Sequence, residues 1–486
     1  MPARVLHLRD SDGVLGETLR EGVAALQAEL GVTPGFPDAV ERAASDAARN
    51  PRLPELDRTD IEFVTIDPPS AMDLDQALHL ERLGDGYVVY YAIADVAAFV
   101  SPGDPVDVES HLRGQTLYGA DSKIPLHPKV LSEDAASLLP DQTRPALLWT
   151  IEVDKTGEGT KVKVERALVR SRAKLDYQTV QGQLDDGAAS ESLQLLKEVG
   201  LLRQEREARR GGVSLPLPEQ EIDTSGSTWQ LTFRPMLPVE NWNAQISLLT
   251  GFGAAFLMVS NAIGVLRTLP PADPRDVSRL RRTAKALKID WPADQDYPEF
   301  IRTLDPAKPA HAAMVVACTR LLRGSAYVAF DGEIPEQKTH SALAAEYAHC
   351  TAPLRRLVDR YAGEICLAIT AGHPVPDWVR DRMGELPDIM RDSGRRANAY
   401  ENGIVDLVEA GVLRDRVGQT FDAVVVERDD KDKREGSVTI EEPAIEAPVT
   451  ADHELPLGES VRVVLTKADV TQRKVAFELQ EHSSPE

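Results

Sequence analysis

Three neighbouring aspartates give the first chemical signal in the sequence. Asp67 follows an extended apolar run from Ile61 to Ile66, and Asp73 and Asp75 come after two prolines that interrupt the strand. Residues two apart on a strand share a face, so we expect the second and third carboxylates to point the same way and the loop to fold the first toward them. Converging carboxylates repel one another unless a cation lies between them. The spacing therefore predicts a site for Mg²⁺, which commonly joins a few carboxylates to substrate phosphates.

Two other interpretations of these aspartates are available. An EF-hand loop starting at Asp73 fits poorly, because Ala77 stands where a side-chain oxygen is needed and Leu78 where glycine is required. A surface loop with three solvated aspartates remains open, since short carboxylate motifs often occur without a metal.

The charge and the cysteines restrict the function classes. Lysine and arginine number 55 and aspartate and glutamate 78, so the formal net charge is −23. An RNA-binding interpretation therefore requires a local basic lining within an acidic exterior; the basic candidates are Arg275 to Lys288 and the group Arg203, Arg206, Arg209 and Arg210. The three cysteines form no C-x-x-C pair, and no signal-peptide core begins the sequence, so we expect a reduced, cytoplasmic protein. The uncharged stretch Leu248 to Leu266 is expected to form a buried helix, with no membrane span.

The patterning predicts an α+β protein of three parts. Residues 1–58 form a small helical domain, which is either a helix-turn-helix unit or a cap on its neighbour. Residues 59–414 begin with strands, including a hairpin at Gly84 to Gly86, and become mainly helical after Tyr177. Residues 415–486 carry short β-rich runs that suit an OB-fold, a common binder of single-stranded nucleic acid, although an acidic composition leaves a structural role equally open.

Six segments of the middle part follow one another in a fixed order: the aspartate motif from Thr65 to Ala77, Tyr91 to Val100, Arg113 to Tyr118, Ile124 to Ser132 with Ser137 and Leu138, Ser171 to Tyr177, and Tyr347 to Arg356 with Asp359. In this order they resemble the motifs of the ribonuclease II (RNB) family of 3′→5′ exoribonucleases. Each segment alone is weak, and the order makes the match specific. It implies an RNB-type catalytic domain, a mixed sheet with helices, followed by an OB-fold. The family usually begins with cold-shock modules, from which the helical start departs.

The resemblance also implies catalytic roles. Asp67, Asp73 and Asp75 match the family's metal-binding carboxylates, with Mg²⁺ as the cofactor and Mn²⁺ as an alternative, and Asp73 and Asp75 take part in catalysis. Arg355 matches the catalytic arginine, whose guanidinium grips the scissile phosphate. Gln76 stands where most relatives have a fourth aspartate. Its amide oxygen is expected to ligate the metal in a site weaker than one with four aspartates.

The resemblance further implies a set of residues for RNA recognition. Tyr118 matches an aromatic residue that stacks on a terminal base, a contact worth about 1–3 kcal/mol. The family's second clamp aromatic is expected between Gly212 and Pro216, where none is found. The remaining expected RNA-binding residues are Tyr347, His349, Thr351, Arg356, Glu240 and Glu401.

These residues predict a monomeric, processive 3′→5′ exoribonuclease that degrades single-stranded RNA to nucleoside 5′-monophosphates. An alternative is a catalytically weakened RNA-binding regulator that keeps the RNB fold, favoured by Gln76 and the missing aromatic. A third possibility is an interaction protein that uses the acidic C-terminal module on a protein partner.

Overall fold

A computed structural model describes residues 14–119, 123–215, 219–223, 230–234 and 236–480. Pro216, the end of the stretch in which the second clamp aromatic is expected, lies outside the described residues. The helices are α1 Val14–Leu30, α2 Asp38–Arg49, α3 Pro105–Arg113, α4 Tyr177–Asp185, α5 Glu191–Arg210, α6 Pro238–Ser260, α7 Pro274–Ala286, α8 Tyr297–Arg302, α9 Pro309–Cys318, α10 Leu357–Ala371, α11 Asp377–Met383 and α12 Leu386–Leu413. The strands are β1 Phe63–Ile66, β2 Gln76–Leu83, β3 Gly86–Ala94, β4 Leu117–Tyr118, β5 Lys123–Ile124, β6 Thr143–Val153, β7 Gly159–Leu175, β8 Glu219–Asp223, β9 Gln230–Arg234, β10 Ile263–Thr268, β11 Ala326–Asp331, β12 Thr339–His340, β13 Ala345–Glu346, β14 Thr420–Arg428, β15 Glu435–Ile440, β16 Ile445–Thr450, β17 Ser460–Asp469 and β18 Lys474–Leu479.

The strands β1, β2, β3, β6 and β7 form a closed barrel near the start of the middle part of the chain. Neighbouring strands are antiparallel except β1 and β7, whose parallel pairing closes the barrel. The predicted turn between β2 and β3 is confirmed, with Leu83 opposite Gly86. Nearly all of β3 is buried, because one face lies in the barrel and the other is covered by helices. The barrel therefore gives the aspartate loop, which joins β1 to β2, a rigid base.

The apolar stretch from Leu248 to Leu266 is helical only as far as Ser260. Ala262 takes a left-handed conformation with φ of 54°, and the chain continues as β10. The expectation of one continuous helix is therefore wrong, because a turn at Asn261 and Ala262 lets the last residues pair with β11. By length and composition α6 would reach across a membrane, but the core helix of a soluble protein passes the same test, and α6 packs on α5, on α10 and on the barrel.

The two N-terminal helices pack mainly on other parts of the protein. Helix α1 lies along α12, where Leu26 meets Gly403 and Leu19 meets Gly411. Helix α2 lies against α3 and the turn at Leu131 to Ala135. These contacts favour the cap over a helix-turn-helix unit, whose helices pack on each other.

A second closed barrel, with strand order β14-β15-β16-β18-β17, follows α12. Its apolar interior includes Val425, Val438, Val463 and Phe477. The same hydrophobic cluster contains Tyr400 and other residues of α12, so the barrel and this helix share one core.

Candidate active site

Asp75 is the most enclosed of the three aspartates. It is 4 % exposed and lies directly before β2. Its Oδ1 accepts a 2.8 Å hydrogen bond from the backbone N–H of Leu354, and its Oδ2 lies 3.2 Å from Nε of Arg355. Burial raises the pKa of Asp75 to about 7, although the guanidinium and the N–H both oppose this shift. The structure thus brings together the aspartate and the arginine that sequence analysis assigned to catalysis.

Asp67 lies at the end of β1, where its N–H donates to the carbonyl of Leu175 at 3.0 Å. Nζ of Lys174 donates to the carbonyls of Pro69 and Ala71, both at 2.6 Å, and so fixes the loop that follows. Burial raises the pKa of Asp67 to about 6, and the charge of Asp73 adds to the rise. Asp67 and Asp73 are therefore close enough to interact electrostatically.

Asp73 forms an ion pair inside the site. Nζ of Lys123 lies 2.6 Å from Oδ1 of Asp73 and 3.1 Å from Oε1 of Glu133. Burial lowers the pKa of Lys123, but the two carboxylates outweigh it and raise the pKa overall. Lys123 is thus a fixed cation beside a carboxylate that was expected to bind a metal.

Among the described residues, no three His, Cys, Asp or Glu side chains are arranged to hold a metal ion. The three aspartates have the oxygen chemistry that Mg²⁺ prefers. In this arrangement, however, Lys123 contacts Asp73, and Arg355 and Leu354 contact Asp75. The metal-ligand assignment therefore stays a prediction, and its chemistry fits the residues present.

Gln76 has both ends of its amide engaged by protein groups. Its Nε2 donates to the carbonyl of Thr351 at 2.7 Å, and its Oε1 accepts from the hydroxyl of Tyr91 at 2.6 Å. These contacts give no support to its expected role as a metal ligand.

Tyr118 interacts with both Arg355 and Glu401. The Tyr118 side chain, 37 % exposed, hydrogen-bonds to the guanidinium of Arg355, and its backbone N–H donates to the carboxylate of Glu401. Burial raises the pKa of Glu401 to about 7. Tyr118, which is expected to contact RNA, thus adjoins the expected catalytic arginine, and Glu401 adjoins Tyr118.

Tyr347, His349 and Thr351 lie on the segment that leads to Arg355. Nδ1 of His349 lies 2.6 Å from the hydroxyl of Tyr327, and burial lowers the pKa of His349, which favours the neutral ring. Tyr347 is buried, and its ring meets that of His349 edge-on. Thr351 is also buried, with its hydroxyl 2.8 Å from that of Ser247. These three side chains make contacts within the protein, and their expected contact with RNA stays a prediction.

Arg356 and Glu240 make contacts within the protein. Arg356 donates two 2.8 Å hydrogen bonds to the carboxylate of Asp359. Glu240 pairs with both terminal nitrogens of Arg234, at 2.8 and 2.9 Å, and accepts from the N–H of Leu237 at the start of α6. Both residues therefore stabilise local structure, and their expected contact with RNA stays a prediction.

Several arginines of the two basic groups found in the sequence make contacts within the protein. Arg203 is buried and donates to the carbonyl of Gly157, Arg210 donates to that of Leu343, and Arg206 pairs with Glu158. In α7, Arg281 donates to four carbonyls between residues 291 and 295. These arginines hold neighbouring segments together.

Comparison with known proteins decides the family. The RNB domain model matches residues 56–369, and the model of the RNase II-type exonuclease C-terminal S1 domain matches residues 419–480. The chain belongs to the RNB family. The expected α+β class, with an RNB-type domain followed by an OB-type barrel, is confirmed.

Curated relatives of this RNB protein carry nuclease names. The chain is 26 % identical over 359 residues to Exosome complex exonuclease RRP44 homolog A of Arabidopsis thaliana, covering 71 % of this chain and 38 % of the relative. It is 25 % identical over 422 residues to Ribonuclease R of Escherichia coli, covering 80 % of this chain and 51 % of the relative. The chain thus spans between about a third and a half of the length of these relatives.

Solved structures share the RNB fold. Mycoplasma genitalium RNase R in complex with ribose-methylated single-stranded RNA superposes with a TM-score of 0.83 at 19 % identity, covering 96 % of this chain and 78 % of the other. Yeast Ssd1, described as a pseudonuclease, superposes with a TM-score of 0.69 at 13 % identity, covering 89 % of this chain and 55 % of the other. The fold therefore occurs in a protein named as a nuclease and in one named as a pseudonuclease.

Several residues of the candidate site carry no recognisable signal in the sequence. Tyr91 lies within a segment that carries the family resemblance and Lys123 directly precedes another, but no spacing rule connects either residue with the aspartates. The role of the Leu354 N–H cannot be recognised from the sequence, because a backbone N–H does not depend on the type of side chain. Asp359 was noted beside the arginine motif, and the structure shows that it holds Arg356 and accepts from the N–H of Ala352 at 2.7 Å.

Proposed function

We propose that this RNB protein is a hydrolytic, processive 3′→5′ exoribonuclease that degrades single-stranded RNA to nucleoside 5′-monophosphates. The supporting observation is the enclosed Asp75, held by Leu354 and Arg355 beside the exposed ring of Tyr118. The names of the relatives, an exosome exonuclease and Ribonuclease R, support the same activity.

The residues divide the chemistry among them. Asp67, Asp73 and Asp75 would hold Mg²⁺, or Mn²⁺, and the ion would supply charge relief at the scissile phosphate and an activated water. Arg355 binds the phosphate through its guanidinium. The Leu354 N–H donates to Asp75, which orients the carboxylate and favours its ionised form. Tyr118 stacks on the terminal base, and Glu401 fixes the backbone of Tyr118.

The remaining assignments belong to the same proposal. Residues 1–58 form a helical cap, 59–414 the catalytic domain and 415–486 the RNA-binding barrel. The protein acts on RNA as a cytoplasmic monomer. The remaining residues expected to contribute to the RNA-binding channel are Tyr347, His349, Thr351, Arg356 and Glu240.

A second candidate function is an RNA-binding protein without nuclease activity. Two observations favour it. Lys123 forms an ion pair with Asp73, one of the expected metal ligands, and yeast Ssd1, named as a pseudonuclease, shares the fold.

A cleavage assay separates the two functions. A 5′-labelled single-stranded RNA is incubated with the protein and Mg²⁺, and the products are resolved on a gel. A descending ladder is expected, together with a loss of at least about a hundredfold in rate for Asp75→Asn, since the lost carboxylate is a proposed ligand of the ion that would stabilise charge in the transition state. Asp85→Asn, at the exposed β2–β3 turn, serves as the matched control. Binding of RNA without shortening, unchanged in Asp75→Asn, would refute the exonuclease.

A further inference from the structure

Gln76 connects three segments that meet at the active site. Its Nε2 reaches the Thr351 carbonyl at 2.7 Å, and its Oε1 receives the hydroxyl of Tyr91, on β3, at 2.6 Å. Both distances are short for hydrogen bonds of these types, so the amide is held at both ends. Because Tyr91 and Thr351 are buried, at 1 % and 2 % exposure, water competes little for these partners.

The carbonyl that Gln76 holds belongs to the turn that positions the catalytic groups. Thr351 lies three residues before Leu354 and four before Arg355, which contact the two oxygens of Asp75. The hydroxyl of Thr351 is also fixed, 2.8 Å from that of Ser247 on α6. Gln76 follows Asp75 directly in sequence, so one short stretch of chain presents the carboxylate and holds the turn that contacts it.

We propose that Gln76 is a positioning residue that fixes the Thr351–Arg355 turn against Asp75, and that it does not bind metal. This inference rests on the proposed nuclease function. It explains a neutral amide here, since a carboxylate has no hydrogen to donate and would face the Thr351 carbonyl oxygen at close range. The amide supplies one donor and one acceptor, which are what a carbonyl and a hydroxyl require.

Two variants separate a positioning residue from a metal ligand. Gln76→Met keeps the length of the side chain but removes the donor and the acceptor. Tyr91→Phe removes only the hydroxyl and would leave the Gln76 oxygen free for a cation. If Gln76 were a ligand, Gln76→Met would weaken Mn²⁺ binding and Tyr91→Phe would strengthen it.

If Gln76 is a positioning residue, the variants should change kcat and leave Mn²⁺ affinity nearly unchanged. Loss of its two hydrogen bonds should lower kcat roughly thirtyfold in Gln76→Met and roughly fivefold in Tyr91→Phe. Mn²⁺ affinity, measured directly from the electron paramagnetic resonance signal of the free ion, should stay within about twofold in both. Gln142→Met, at an exposed position, is the matched control and should leave both quantities unchanged.

Hydrogen exchange gives a readout that does not depend on activity. The Leu354 amide, which donates to Asp75, should exchange at least about tenfold faster in Gln76→Met, because the turn is no longer held. If the wild-type protein fails to shorten RNA, the proposed function fails while this test still applies. Unchanged exchange at Leu354, or a fall in Mn²⁺ affinity of more than about fivefold in Gln76→Met, would overturn the positioning role.

Discussion

Replacing Lys123 by methionine should strengthen metal binding at the aspartate site. In the wild-type protein the ammonium lies 2.6 Å from Asp73 and 3.1 Å from Glu133, at 21 % side-chain exposure. A divalent cation must approach the same carboxylate and is repelled by this charge. Without Lys123 this repulsion disappears. The metal-free site also loses the positive charge that neutralised Asp73, so both changes strengthen the binding of the metal.

The size of the effect follows from the geometry. At an effective dielectric constant of about 20, unit charges separated by the 2.6 Å of this pair attract by roughly 6 kcal/mol. Desolvation offsets most of this attraction, and hydrogen bonds between charged groups retain about 1.5–3 kcal/mol net. Because Lys123 is shared with Glu133, we expect the lower end, about 1.5 kcal/mol, which corresponds to a tenfold gain in affinity.

The measurement is a titration of metal-free protein with Mn²⁺, in which the free ion is quantified by its electron paramagnetic resonance signal. Lys129→Met is the matched control, since Lys129 lies 3.9 Å from Glu133 but is 71 % exposed. The control should bind Mn²⁺ as the wild type does. A Lys123→Met variant with equal or weaker affinity would show that the lysine orients Asp73 for the metal and does not compete with it.

Three further predictions concern stability and RNA binding. Burial raises the pKa of Asp67 to about 6 and that of Asp75 to about 7, against 3.8 in the unfolded chain. Between about pH 4 and pH 7 the folded metal-free protein therefore binds more protons than the unfolded chain. Its free energy of unfolding should fall as the pH rises through this range. Urea denaturation in EDTA at pH 5 and pH 8 measures this fall, and saturating Mg²⁺ should abolish it. Gly251→Ala should lower the free energy of unfolding by about 1–3 kcal/mol, because the new Cβ would lie 2.7 Å from a backbone carbonyl, while Gly182→Ala, with open space around it, should not. Tyr118→Ala should weaken the binding of single-stranded RNA about five- to hundredfold in a filter-binding assay, since one stacking contact is lost.

Each of these predictions has a contrary outcome. Stability that rises with pH in EDTA would mean that the aspartates are ionised without a metal. Equal stability of the two glycine variants would mean that α6 can shift away from the Tyr347 segment. RNA affinity unaffected by Tyr118→Ala would place the terminal base elsewhere.

The barrel strands and the family were predictable because their signals are local. Alternating apolar residues, the glycine turn after Leu83 and the ordered motifs each depend on a few neighbouring residues. The pairing of β1 with β7 was not predictable, since it joins segments about a hundred residues apart. In the same way, the apolar run after Leu248 gave no sign that its end would leave α6 and pair with β11.

The proximity of three candidate site residues was predictable from the sequence, but the contacts of the others were not. Asp75, Arg355 and Tyr118 were identified from their motifs, and the structure places them together. The partners of Gln76 and Asp73 come from other strands and loops, and sequence spacing carries no information on such distances. For this reason a glutamine that looked like a weakened ligand is found between a hydroxyl and a carbonyl.

Helix α12 makes the protein unsuited to study by truncation. With 28 residues it is about 42 Å long, and it contacts the N-terminal helix, the strand that carries Tyr118 and the C-terminal barrel. Removing residues 415–486 would expose its apolar side, including Ile404 and Val408, and would loosen the helix that positions Glu401. A shortened chain would therefore lose activity whether or not the barrel touches RNA. The contribution of the barrel is better measured with single substitutions on its outer surface, which leave the shared core intact.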